Sequence, residues 1–215
     1  MTKWSFEELN KLCDEKAIPH AKAYQNALAW RWKRADYHAE IASEVWSDLF
    51  KESFSFVDQR CGEAIFSYEA QVESCLLALH SLGDILSQII NVLVLNNRLL
   101  EDTVSIKRVV DIMEKESVAP DIARSARRLI DDEVFNYIEA FCNTIKHRRL
   151  IGTNFRAEYG ENARNESGLL FEGFVFKGNT YPETWGSEIL QKYRFRVLDL
   201  ITEVGLSINK YVSSI

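Results

Sequence analysis

The chain has 215 residues, 47% of them hydrophobic and 27% charged, with three prolines and nine glycines. That is ordered globular composition, long enough to bury one sizeable core, and it argues against long disordered linkers. The formal net charge of −6 leaves no broad electrostatic grip on nucleic acid, so an anionic partner has to be met locally.

The first segment, Met-Thr-Lys-Trp-Ser-Phe-Glu-Glu, has no apolar signal core. Ser5 and Glu8 have the spacing of a capping box and predict a short first helix that Pro19 breaks. A long second helix follows, over about 20–53, with Tyr24, Ala27, Leu28, Ile41, Val45 and Leu49 at helical spacing and Trp30, Trp32 and Trp46 adding aromatic area. Asp58 to Gly62 reads as a turn. The third helix, about 63–96, is the most apolar segment and the candidate core. Its longest apolar stretch, Leu86–Leu95, is interrupted by Gln88 and Asn91, so no membrane span is expected. A short helix near 105–115 precedes Pro120-Asp121, which restarts the helix with proline ahead of an acidic first turn.

The next helix, about 131–150, ends in Asn143-Thr144-Ile145-Lys146-His147-Arg148-Arg149. Val134, Phe135, Ile138, Phe141, Cys142 and Ile145 form its apolar stripe. Asn136, Ala140, Asn143 and His147 fall on the opposite side, with Asn143 and His147 one turn apart. From Thr153 to Tyr181 the period changes to two, at Phe155, Ala157, Tyr159 and again at Phe174 and Phe176. Gly160, Gly168, Gly173 and the Lys177-Gly178-Asn179 turn punctuate it, so a small antiparallel β element is predicted. Pro182 starts the last helix, about 184–212, with Leu190, Val197, Ile201, Val204, Ile208 and Tyr211 on one face. The expected fold is mostly α. It is a single 1–215 domain, an antiparallel helical bundle on the helices at 20–53, 63–96, 131–150 and 184–212, with a β-hairpin or meander at 153–181 inserted before the last helix.

Four cysteines, Cys13, Cys61, Cys75 and Cys142, show no C-x-x-C pairing and sit in apolar helical patterns, as small hydrophobes do. Free thiols suit a reducing compartment, so the cytoplasm is the expected location. Neither a phosphate loop, a nucleophile elbow nor a dinucleotide fingerprint is present, and no metal or other cofactor is expected.

The candidate chemistry is the end of the 131–150 helix. Between Cys142 and Arg164 five Lys/Arg face two Glu, a local net of +3. Two readings stand side by side. Cations in a last helical turn complement the macrodipole by about 0.3–1 kcal/mol each, which accounts for Lys146, His147, Arg148 and Arg149 without any ligand. Alternatively they bind an anion, and Asn143, which costs about half a kcal/mol relative to alanine in a helix interior, is kept for a hydrogen bond. A second polar stripe on the third helix, Glu69, Glu73, His80, Asp84 and Asn91, is either a solvated face or a polar seam toward Asn143 and His147. There His80 and Asp84, one turn apart, would play a supporting part. A further basic turn is Arg124, Arg127, Arg128, while His20 and His38 read as structural or solvated.

Asn143-x-x-Lys146-His147-Arg148 at the end of a helix, after a long helical pair, resembles the HEPN superfamily of helical bundles. The resemblance implies a homodimer that acts on RNA or a nucleotide, as a metal-independent ribonuclease or toxin or as a degenerate relative. Asn143 and His147 would then be the catalytic pair, and Lys146, Arg148 and Arg149 the phosphate ligands. The position of the family's motif arginine is taken by Cys142. The alternative is a non-catalytic helical interaction module that uses the same residues to bind a nucleotide or a protein partner.

Overall fold

Ser5 opens the first helix as its spacing predicts. In the computed structural model its hydroxyl accepts the Glu8 amide at 3.1 Å and α1 runs Phe6–Glu15. The Glu8 carboxylate does not close the box. It accepts from the Asn209 amide instead, also at 3.1 Å. The structure describes residues 4–51, 59–158 and 166–215. Thus Asp58 of the expected 58–62 turn, the 52–53 end of the second helix, Tyr159, Gly160 and Arg164 lie outside the described residues, and Gly62 is helical.

The protein is mostly α with a small antiparallel β insertion ahead of the last helix. Two long helices, α2 (Lys22–Lys51) and α3 (Gln59–Leu93), are followed by α4 (Ile106–Glu116), α5 (Pro120–Asp131) and α6 (Glu133–His147). Ser105 caps α4 by accepting the Arg108 amide, and Pro120 stands at the start of α5, where a missing N–H costs nothing. Strands β1 (Thr153–Glu158), β2 (Glu166–Phe171) and β5 (Thr184–Trp185) form one sheet in the order β1-β2-β5, while β3 (Phe174–Phe176) and β4 (Asn179–Tyr181) form a hairpin. The β element therefore reaches Trp185, beyond the expected 181. A short α7 (Gly186–Glu188) and a π-helical turn, Ile189–Tyr193, lead into α8 (Arg194–Ser214).

By its contacts the chain divides into two units. The first comprises residues 1–33, 79–136 and 196–215. Its hydrophobic side chains from α3, α4, α5 and α8, such as Leu86, Ile90, Val110, Ile122, Val204 and Ile208, are fully buried. The loop after α3 is closed by Asn91, whose amide donates to the Leu99 carbonyl at 3.0 Å and accepts the Leu99 amide at 3.1 Å. Trp4 donates its indole N–H to Asn209 at 2.9 Å and lies against Gly205, where any Cβ would run into the indole ring. His20 bonds Asn10 and Asp14 of α1, a structural role.

The second unit comprises residues 34–78 and 137–195. Within it α2 and α3 are antiparallel, with His38 against Gln71 at 2.7 Å and Trp46 against Tyr68 at 5.0 Å. Arg194 pairs with Asp36 and also donates to the Leu190 carbonyl at 2.8 Å within the π turn. Gly168 sits inside β2 opposite Arg156, not at a turn, because the Trp185 ring closes to 3.2 Å of where its Cβ would be.

The expectation of no span-length apolar stretch is amended by α3. Residues 60–93 have the length and hydropathy of a membrane span, with 67% of the most apolar stretch buried in the fold. Leu76, Leu79, Leu82, Leu86, Ile89 and Ile90 are all fully buried, as in the core helix of a globular protein.

Candidate functional site

The last two turns of α6 set the site. Ile138, Phe141 and Cys142 of the expected stripe are fully buried, whereas Val134 and Ile145 are only half-buried. Burial also extends past the stripe to Tyr137, Ala140 and Thr144, so at Ala140 the side opposite the stripe is packed and not open to water. The β3–β4 hairpin explains part of this. Phe174 meets Tyr137 at 5.5 Å and Phe141 at 5.9 Å and stacks on Tyr181 at 5.0 Å. Such ring pairs add about 0.5–1.5 kcal/mol each beyond their area. Burial raises the Tyr137 phenol well above its ordinary range. The nearby Thr184 hydroxyl opposes that shift but does not reach Tyr137 with bonding geometry, as its own proton goes to the Pro182 carbonyl.

Asn143 is half-buried, and its amide donates to the Glu139 carbonyl of the preceding turn at 2.9 Å. One of its two N–H donors is used inside the helix, which leaves the second N–H and the carbonyl oxygen for other partners. Thr144 does the same with Ala140 at 2.8 Å. Its carbonyl then accepts the Arg148 and Arg149 amides at 2.9 and 3.2 Å as the helix ends at His147. Lys146, His147, Arg148 and Arg149 are all exposed. The Arg148 guanidinium lies over the Phe176 ring at 4.9 Å, and the Lys177 ammonium over the same ring at 5.1 Å. Arg149 donates to the Leu150 carbonyl at 3.2 Å. Among the described residues no carboxylate comes within 4.0 Å of Lys146, Arg148, Arg149 or Lys177.

Lys177 was visible only as part of a turn. Phe176 and Asn179 flank a two-residue loop in which Lys177 and Gly178 both have positive φ, 50° and 83°, the signature of a type I′ hairpin turn. That geometry fixes where the Lys177 backbone leaves the hairpin.

The remaining candidates separate. His80 is half-buried and Asp84 exposed, both on the part of α3 in the first unit, whereas Asn143 and His147 belong to the second. Asn91 leaves the polar stripe altogether and serves as the loop clasp described above. Glu69 and Glu73 lie in the second unit. Glu69 accepts a hydrogen bond from Thr153 at the start of β1. Burial, and then the neighbouring Glu69, raise the Glu73 carboxyl above its ordinary value.

Cys75 and Cys142 are buried thiols pushed up to about 12 by desolvation, which makes them poor nucleophiles. The basic turn on α5 is neutralised. Arg127 bonds Glu114 through Nε and Nη2 at 2.9 and 2.7 Å and Asp111 at 2.8 Å, and Arg128 bonds Glu203 at 2.6 Å. Arg124 lies 3.4 Å from Asp121, which Lys210 also holds at 2.9 Å.

No family model matches this chain, and none of the curated proteins or solved structures compared with it matches either.

Proposed function

We propose that this is a HEPN-like helical protein that binds the phosphates of RNA or of a nucleotide at the end of α6. One observation carries the reading: Lys146, Arg148 and Arg149 are exposed in four consecutive residues with no carboxylate partner among the described residues. A guanidinium matches a phosphate with two parallel N–H donors, and charge-assisted bonds of this kind are about twice as strong as neutral ones. A single helix end is a small footprint, which agrees with a chain whose net charge is −6.

A metal-independent cleavage reaction is the second reading. Asn143 and His147, one turn apart on α6, favour it, with His147 as general acid/base and the cations offsetting developing phosphate charge. Against it stands Cys142, an apolar residue at the position of the family's motif arginine. Cleavage would need a second copy to bring another His147 to the same phosphate. A homodimer is therefore part of this reading, with Trp30, 63% exposed on α2, as an apolar anchor of the kind interfaces use.

The test is incubation of the protein with total RNA, with and without EDTA, beside His147→Ala and a Lys146/Arg148/Arg149→Ala variant. Retained RNA with binding that only the triple variant loses supports the phosphate-binding module. Cleavage that survives EDTA and disappears in His147→Ala supports the ribonuclease. An absence of both binding and cleavage in the unsubstituted protein overturns the proposal.

A further inference from the structure

The cations of α6 stand in a last helical turn, where the dipole alone welcomes them. Lys177 has no such reason to be there. It belongs to the β3–β4 hairpin, about thirty residues further along the chain, in a turn position with φ of 50° that asparagine or glycine occupies more comfortably than lysine. Yet its ammonium lies over the same ring as the Arg148 guanidinium, at 5.1 Å against 4.9 Å. The two charges are therefore no farther apart than the sum of those distances, comparable with a Debye length of about 8 Å at physiological ionic strength.

The electron-rich ring of Phe176 attracts both charges. No carboxylate completes the neutralisation among the described residues. Phe176 is only 8% exposed, so its ring offers no face for a base to stack on. The ring is itself held in place, since Phe174 two residues earlier on the same buried face of β3 is packed against Tyr137 and Phe141 of α6.

Resting on the phosphate-binding reading above, we infer that the tip of the β3–β4 hairpin is the second arm of that site. Lys177 and Arg148 together hold the phosphodiester backbone of a single RNA strand, and the strand is read by its charge and not by its bases. Two cations that share one ring, with no carboxylate beside them among the described residues, offer a phosphate two charge-assisted donors. The partly covered ring leaves no stacking platform of the kind that gives single-strand binders their base contacts.

The experiment measures binding of a fluorescent oligouridylate as salt is varied, for the unsubstituted protein, Lys177→Asn, Lys177→Arg and the Lys146/Arg148/Arg149→Ala variant. Asparagine tolerates the positive φ, so it removes the charge while keeping the turn. Each lost single-strand phosphate contact flattens the slope of log K against log salt by about 0.7. Lys177→Asn is expected to flatten it by that amount, Lys177→Arg to keep it, and oligoadenylate to bind as oligouridylate does.

An unchanged slope in Lys177→Asn, with a flattened one in the α6 variant, overturns the second arm and leaves the α6 site standing. A strong preference for one homopolymer overturns backbone recognition. No binding of the oligonucleotide by the unsubstituted protein overturns the underlying reading and the inference with it.

Discussion

Arg127 on α5 gives its guanidinium to Glu114 and Asp111, whereas Arg148 beyond the end of α6 lies over an aromatic ring with no acid beside it among the described residues. Both belong to short basic runs of similar composition, Arg124-Ser125-Ala126-Arg127-Arg128 and Lys146-His147-Arg148-Arg149. The difference lies in what the fold brings opposite them. Around α5, Asp111, Glu114, Asp121 and Glu203 answer the arginines and Lys210. A paired cluster of this kind serves the fold, because desolvating a guanidinium already bonded to two carboxylates in order to take a ligand costs the interactions it holds. An unpaired cluster gives up little when an anion arrives.

Exchanging the substitutions between the two runs gives the largest effect expected. Arg148 and Arg149 changed to Ala together with Lys146 should weaken oligouridylate binding by about a hundredfold, taking roughly 1 kcal/mol per charged contact. Thermal stability should fall only modestly, by the helix-end and ring contacts that these cations lose. Changing Arg124, Arg127 and Arg128 to Ala should leave binding alone and lower Tm by about 2–4 °C, as expected for roughly 1 kcal/mol in a chain of this size. Scanning calorimetry and anisotropy on both variants decide it. Loss of RNA binding in the α5 variant would dissolve the contrast.

The contrast sharpens with acid. The bond from Arg127 holds Glu114 below its ordinary value of 4.5, and the bond from Lys210 holds Asp121 below 3.8. Folded values that are depressed stabilise the protein above the unfolded values, and that stabilisation disappears as pH falls through the folded ones. Urea denaturation should therefore separate the unsubstituted protein from Arg127→Ala at pH 7, and the two curves should converge as pH falls below 4.5 and through the lowered folded value of Glu114. A constant gap at all pH values would show that Arg127 acts by packing alone.

The smallest effect is expected at Glu73, the reverse case. Its carboxyl is raised above 4.5 by burial and by Glu69. Its folded form is favoured below the unfolded value and penalised as pH rises through the folded one. Glu73→Gln should then be modestly more stable than the unsubstituted protein at pH 7 and no more stable below about pH 4. A variant less stable at pH 7 would mean that the charged carboxylate has a partner the fold depends on.

Local signals carried well from sequence to structure. Ser5 caps a helix, Pro120 begins one, and Lys177-Gly178 turns a hairpin, because each of these is settled within a few residues of itself. What escaped depends on distant neighbours. Asn91 read as one member of a polar stripe, but its side chain closes a loop eight residues on. Ala140 read only as lying opposite the apolar stripe, toward water or a second packed surface, and it is 1% exposed, a choice that a helical wheel cannot make by angle alone. Gly168 read as punctuation, although its missing side chain makes room for Trp185, which is seventeen residues away. The placement of Asn143, Lys146, His147 and Arg148 at the end of α6 was legible from their spacing. Lys177 was not, because only the aromatic packing of the hairpin on α6 brings it to Arg148.

The bond from Trp4 to Asn209 ties nearly the whole length of the chain into one loop. Closing so long a loop costs conformational entropy that rises as about (3/2)RT ln n, and nothing repays it until the groove at Gly205 exists. Docking of Trp4 is therefore expected late in folding, and a contact made late mostly slows unfolding. In stopped-flow fluorescence Trp4→Phe should unfold faster than the unsubstituted chain while refolding at nearly the same rate. Equal unfolding rates would place the clasp among the first contacts to form.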